Sequence, residues 1–197
     1  MFALSPVSGA VGAAAAALSV LAHAVAPVAG VNATAAAILL LTVLVRLLLV
    51  PLGLARVRAA RRRAASPLPG CLPALAQAPF AFVLYRLFSA PPAGTDLTTA
   101  SLFGVPLAGH LMDGLAGPVL PVFGVLIAAL VALGWVSSRR LRREAPPDAA
   151  GLARILPLLP YGTAVAAAFV PLATALYLLA TTAWTVLETP ILLSLGR

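Results

Sequence analysis

The sequence contains no lysine, one cysteine and five acids, and each shortage removes a class of protein. A lone Cys71 cannot close an internal disulfide and stands in no metal-ligand spacing, so it reads as a small packing residue. His23 and His110 have no second ligand in helical register, and no metal site is expected. The chain also lacks Gly-x-Ser-x-Gly, His-Glu-x-x-His, a glycine-rich phosphate loop and any pair of buried carboxylates, which excludes the familiar enzyme classes and leaves no cofactor to be expected. Charged residues make up 9% of the chain, against roughly 25% in a soluble domain. What fills the sequence instead is apolar: 62% of residues are hydrophobic and the mean hydropathy is +1.07. This is the composition of an all-α polytopic membrane protein, since helices satisfy their own backbone groups where water is absent.

The net charge of +8 comes from thirteen arginines, and an evenly basic surface would point to nucleic acid. These arginines are not even. Arg56, Arg58, Arg61, Arg62 and Arg63 form one group and Arg139, Arg140, Arg142 and Arg143 a second, each beside an apolar run. Such groups are the positive-inside signal, so both loops are expected in the cytoplasm and no nucleic-acid partner is expected.

Residues 1–30 are alanine-rich and carry no basic residue, which argues against a secretory signal. Two readings stand: an interfacial helix on the outer leaflet, which is preferred, or an additional span. From residue 31 the reading is a five-span core, with spans near 33–54, 71–89, 119–136, 155–170 and 172–193. Residues 55–70 and 137–154 become cytoplasmic loops and 90–118 an external loop, whose apolar patch at 101–107 is too short to span and is expected to dip into the interface. Pro171 divides the last apolar stretch into two crossings. The amino end is then outside, the carboxyl end inside, and eleven of the thirteen arginines are cytoplasmic.

Arg46 is the exception that organises the rest. It sits in an apolar run, ten residues before Arg56, hence ~15 Å from the water the later arginines reach. A charge at that depth costs roughly 2.5–3.5 kcal/mol on insertion scales and marks a functional site by default. Thr42 lies one turn earlier on the same face. Span two offers Gln77 and Tyr85 at i and i+8; span five offers Thr174, Tyr177, Thr181, Trp184, Thr185 and Glu188 on one side. Three polar faces in one small bundle favour a shared wet groove. Counting from the turn at Pro171 puts Glu188 ~25 Å deep, below Arg46, so no firm salt bridge is expected and the arginine is expected to stand open in a cavity.

The residues Leu41-Thr42-Val43-Leu44-Val45-Arg46-Leu47-Leu48-Leu49-Val50-Pro51-Leu52, Pro69-Gly70-Cys71-Leu72-Pro73-Ala74-Leu75-Ala76-Gln77-Ala78-Pro79-Phe80 and Leu84-Tyr85-Arg86 resemble the YidC/Oxa/Alb membrane protein insertases. Ile155-Leu156-Pro157, Phe169-Val170-Pro171 and Leu176-Tyr177 are similar too. The resemblance implies five spans around a positively charged groove open to the cytoplasm and lipid, in the plasma membrane of a bacterium. Arg46 matches the groove arginine and Gln77 a polar groove position. Nascent membrane proteins and the bilayer are the implied partners, with the Sec translocon a further candidate. The short 56–70 loop departs from the longer hairpin of relatives, and with no basic carboxyl-terminal tail matched, ribosome docking is not expected. Two other functions fit the residues: a small anion channel or transporter selected by Arg46, and a degenerate paralogue serving as an assembly scaffold.

Overall fold

A computed structural model describes residues 5–62, 72–90, 99–114, 117–144 and 155–195. It is almost wholly helical. Helix α1 (Ser5–Ala29) meets α2 (Ala33–Arg62) through a short 3-10 turn at Gly30–Asn32, where Gly30 has a φ of 53°, in the left-handed region open to glycine. Next come α3 (Leu72–Ser89), strands β1 (Ser101–Leu102) and β2 (Val105–Pro106), and α4 (Val119–Glu144). A 3-10 turn at Leu156–Leu158 leads into α5 (Leu159–Ala167), and α6 (Leu172–Leu195) follows.

Helix α6 is the hub, packing against α2, α3, α4 and α5. Its first turns are sheathed: residues 171–177 are all buried, whereas Thr185, Leu187 and Ile191 are exposed. Helix α1 packs against α2 and α3 through Val11, Ala15 and Leu18, a face at i, i+4 and i+7. Among the described residues two apolar segments are long enough to cross a membrane, Gly9–Leu48 across the Gly30 turn and Val119–Arg143; Pro79–Ser89, Leu156–Ala167 and Leu172–Glu188 are shorter apolar helices.

Several boundaries differ from the sequence reading. Helix α2 runs through Arg62, so Arg56, Arg58, Arg61 and Arg62 belong to a helix and not a loop; Arg63 lies outside the described residues. Alanine and arginine are good helix formers, and no glycine or proline stands between Gly53 and Ser66-Pro67. Helix α4 likewise carries Arg139, Arg140, Arg142 and Arg143 to Glu144. The expected fourth span is shorter than 155–170. Its α-helical part is α5, nine residues or ~13 Å, opened by Pro157 and Pro160 and closed before Pro171.

The patch at 101–107, read from the sequence as an irregular apolar segment, forms a hairpin packed onto the bundle. Its two strands pair antiparallel, Ser101 with Pro106 and Leu102 with Val105. The turn between them places Phe103 (φ 48°) and Gly104 (φ 83°) both at positive φ, as a two-residue hairpin turn requires. The Phe103 N–H donates to Asn32 Oδ1 at 3.1 Å, tying the hairpin to the α1–α2 turn. Val105 and Leu107 are 1% and 0% exposed, while Phe103 is 70% exposed.

The carbonyls beyond the hairpin then serve the start of α6. Leu172 N–H donates to Gly109 O at 2.9 Å and Ala173 N–H to Leu107 O at 3.0 Å, in the place of a side-chain cap. Between them and α4, His110 N–H donates to Asp113 Oδ2 at 2.7 Å, a bond that holds the Asp113 carboxyl below the usual carboxylate range.

This inward placement has a measurable contrast. Leu107→Ala is expected to cost about 2–5 kcal/mol by opening a cavity, and Phe103→Ala less than about 0.5 kcal/mol as an exposed substitution. Thermal unfolding of both variants in the same detergent reads the difference; equal effects would contradict it.

Candidate functional site

The expected groove residues divide into those that meet and those that do not. The meeting point is Arg46 on α2, which is 8% exposed. Its Nε donates to Thr181 Oγ1 at 3.0 Å, and its Nη2 donates to the Thr181 carbonyl at 2.9 Å, to Thr185 Oγ1 at 3.0 Å and also to Thr181 Oγ1. Nη1 lies 3.9 Å from Glu188 Oε2. Thr181, Thr185 and Glu188 can share one cation because they follow at i, i+4 and i+7 on α6. The guanidinium suits them: its planar fork of donors engages a hydroxyl, a carbonyl and a carboxylate at once, which an ammonium could not do in one geometry.

The expected separation of Arg46 from Glu188 is therefore overturned. Arg46 is thirteen residues along α2 and Glu188 sixteen along α6, so in depth they differ by ~5 Å, less than one helical turn. An arginine side chain closes that gap. Nor does Arg46 stand open in a cavity, since α6 engages every donor named above.

The other residues fall around this cluster. Thr42 is buried, but its hydroxyl donates at 2.7 Å to the Ile38 carbonyl of its own helix, so it gives the arginine nothing directly. Tyr177 is buried one turn from Thr181, within electrostatic reach of Arg46. Thr174 is 3% exposed, one turn nearer the start of α6, and its Oγ1 has no hydrogen-bond partner among the described residues; Trp184 Nε1 is in the same position. Tyr85 stands apart, exposed on α3 while Leu84, Leu87 and Phe88 turn inward. Gln77 is on α3, but its side chain lies outside what is described.

Two interactions escaped the sequence reading. The Trp135 ring carries the Arg139 guanidinium at 4.2 Å, and Arg140 Nη1 donates to the Val186 carbonyl at 2.7 Å. The second had a signal: Pro190 stands four residues after Val186 and has no N–H to offer that carbonyl. Among the described residues no group of three or more metal-ligating side chains is found.

Chemically, the cluster is a cation with hydroxyl and carbonyl acceptors and one carboxylate at the rim of its reach. It can exchange anions and hydrogen bonds, and it holds no nucleophile paired with a base. A family model described as 60Kd inner membrane protein matches residues 60–195, so Thr181, Thr185 and Glu188 lie inside the match and Arg46 precedes it. No curated protein and no solved structure matches the chain.

The Arg46 cluster makes a prediction for coupling. In a double-mutant cycle, Arg46→Ala and Thr181→Val should show an interaction of about 1 kcal/mol or more, because each removes the other's partner inside the bundle. Arg46→Ala and Thr42→Val should add without coupling, and equal coupling in the two cycles would refute the geometry.

Proposed function

The chain belongs to the 60Kd inner membrane protein family, the YidC/Oxa/Alb insertases, and from that premise we propose that it inserts and helps fold small membrane proteins with short translocated regions. The family match carries this reading. The proposal places five spans in a bacterial plasma membrane, amino end outside and carboxyl end cytoplasmic, with residues 1–30 as an interfacial helix. Nascent membrane proteins are the substrates, the bilayer is the medium, and the Sec translocon is a candidate neighbour.

The mechanism follows from where polarity and burial change along α6. A polar tail of a substrate enters from the cytoplasmic side, where Thr185 and Leu187 are exposed, and advances toward Arg46. There an acidic group takes the place of Glu188 as counterion. At 3.9 Å that pair is longer than a hydrogen bond, so an incoming carboxylate with better geometry competes well. Arg46 stays where it is, held by the two threonines, and only its counterion changes. Meanwhile the substrate's apolar helix leaves sideways along Leu44, Leu47 and Leu48, which are exposed on α2. No covalent bond is made or broken. The gain is in distance: the tail is dragged through less hydrocarbon, and each charge spared that passage saves several kcal/mol.

The test is complementation of an insertase-depleted bacterium, read by insertion of reporters with acidic or neutral translocated tails. The wild-type chain should restore both. Arg46→Ala should lose the acidic-tailed reporter first, by about tenfold or more, as expected when one charge pair worth ~1.4 kcal/mol is removed. Indifference to Arg46→Ala would favour a scaffold. Crosslinks from positions 46, 77 and 181 to a nascent chain would place the substrate in the groove directly.

A further inference from the structure

Two recesses follow one ridge of α4, a row of every fourth residue that winds gradually round the helix. The first is an apolar groove of about 450 Å3 between α4 and α5, lined by Ile127, Val131, Tyr161, Val165 and Phe169 among others. The second, of about 220 Å3, is at the end of α4 and is lined by Trp135, Val136, Arg139, Arg140 and Arg143. Ile127, Val131, Trp135, Arg139 and Arg143 recur every fourth residue, so the two recesses share a single stripe of the helix. At ~1.5 Å per residue, Val131 is ~12 Å and Ile127 ~18 Å from Arg139. One leaflet of hydrocarbon is about 15 Å thick, half of a ~30 Å core. The stripe therefore has the length of one lipid, with the cations at the headgroup end.

The side chains are fixed for that purpose. Arg139 is stacked on Trp135, and Arg140 is anchored by the Val186 carbonyl that Pro190 leaves without its helical donor. Tryptophan at that level suits the boundary between hydrocarbon and headgroups. Gly134 lets α4 and α5 approach closely beside Tyr161, since a Cβ there would stand 3.3 Å from the Pro160 carbonyl oxygen. Arg142, in the same run, does not line the recess. Arginines that served only to orient the chain would have no reason to converge, yet three of these four do.

We propose that this stripe binds one anionic phospholipid of the cytoplasmic leaflet, its phosphate held by Arg139, Arg140 and Arg143 and an acyl chain lying in the α4–α5 groove. Guanidinium forks match phosphate oxygens, and a basic cluster at the cytoplasmic end of a membrane helix, as on α4, attracts anionic headgroups. An acidic peptide would use the cations alone and leave the apolar groove, in line and at acyl length, without a role. The site is separate from the Arg46 cluster and does not depend on the insertase reading.

Native mass spectrometry of the purified full chain tests it, with phosphatidylglycerol and phosphatidylcholine of identical acyl chains as probes. One phosphatidylglycerol should be retained, at least about tenfold more tightly than phosphatidylcholine. The R139Q/R143Q variant should bind it about thirtyfold less well, since each basic side chain at an anionic surface is worth about fivefold. Val165→Trp, at an exposed position in the groove, should weaken phosphatidylglycerol as well. Equal binding of the two lipids, an unchanged affinity in either variant, inorganic phosphate binding as tightly as the lipid, or an acidic peptide binding more tightly would each overturn the proposal.

Discussion

The contact between Arg46 and the threonines of α6 fixes how the two helices that frame the candidate site must lie. An arginine away from water is tolerable only if its donors find acceptors, and here the acceptors come from another helix. Interhelical hydrogen bonds in membrane bundles average ~0.6 kcal/mol and reach ~1.7 kcal/mol, so bonding to the three acceptors Thr181 Oγ1, the Thr181 carbonyl and Thr185 Oγ1 amounts to roughly 2–5 kcal/mol. The insertion cost of the charge is roughly 2.5–3.5 kcal/mol, and the two terms are therefore of one size. Neither helix can slide along the other by a turn without stranding the cation. Because α6 also touches α3, α4 and α5, that register is passed to most of the bundle.

Around this contact the molecule is asymmetric from end to end. The first turns of α6 are enclosed by neighbouring helices and by the hairpin, with Val105, Leu107, Leu172 and Ala173 all essentially without exposure. Past Thr181 the same helix becomes polar on one side and open on the others. A single element thus serves as core at one end and as surface at the other, and Arg46 marks the border. In the orientation proposed above, the enclosed end of α6 faces outward and the open end faces the cytoplasm, from which a polar segment would arrive.

How much of this could be read in the sequence depended on the range of the interaction. The polar stripe of α6 was legible because helical periodicity aligns Thr174, Tyr177, Thr181 and Glu188 whatever surrounds them. Arg46 was legible because a charge in an apolar run has no cheap alternative explanation. Glu188 was misjudged because depth was counted along the backbone, while the interaction is made at the end of a long side chain that reaches most of a turn. The hairpin was missed because its strands are two residues each, and its turn is Phe-Gly instead of the familiar Asn-Gly. Tyr85 was assigned from spacing alone, and spacing gives a face without saying whether that face turns inward. The extensions of α2 and α4 are not legible from charge, because arginine groups mark the cytoplasmic ends of spans and prolong helices alike.

The carbonyls of Leu107 and Gly109 at the start of α6 have one more effect. An uncapped helix start is a patch of positive potential that attracts anions, and these two carbonyls cover two of the N–H groups that would create it. Under the proposed function, an acidic tail drawn up to Arg46 would therefore meet two fewer free N–H groups at that end of α6. In that reading the helix offers a guest one berth at Arg46, closed on its far side by the hairpin, from which the guest must back out.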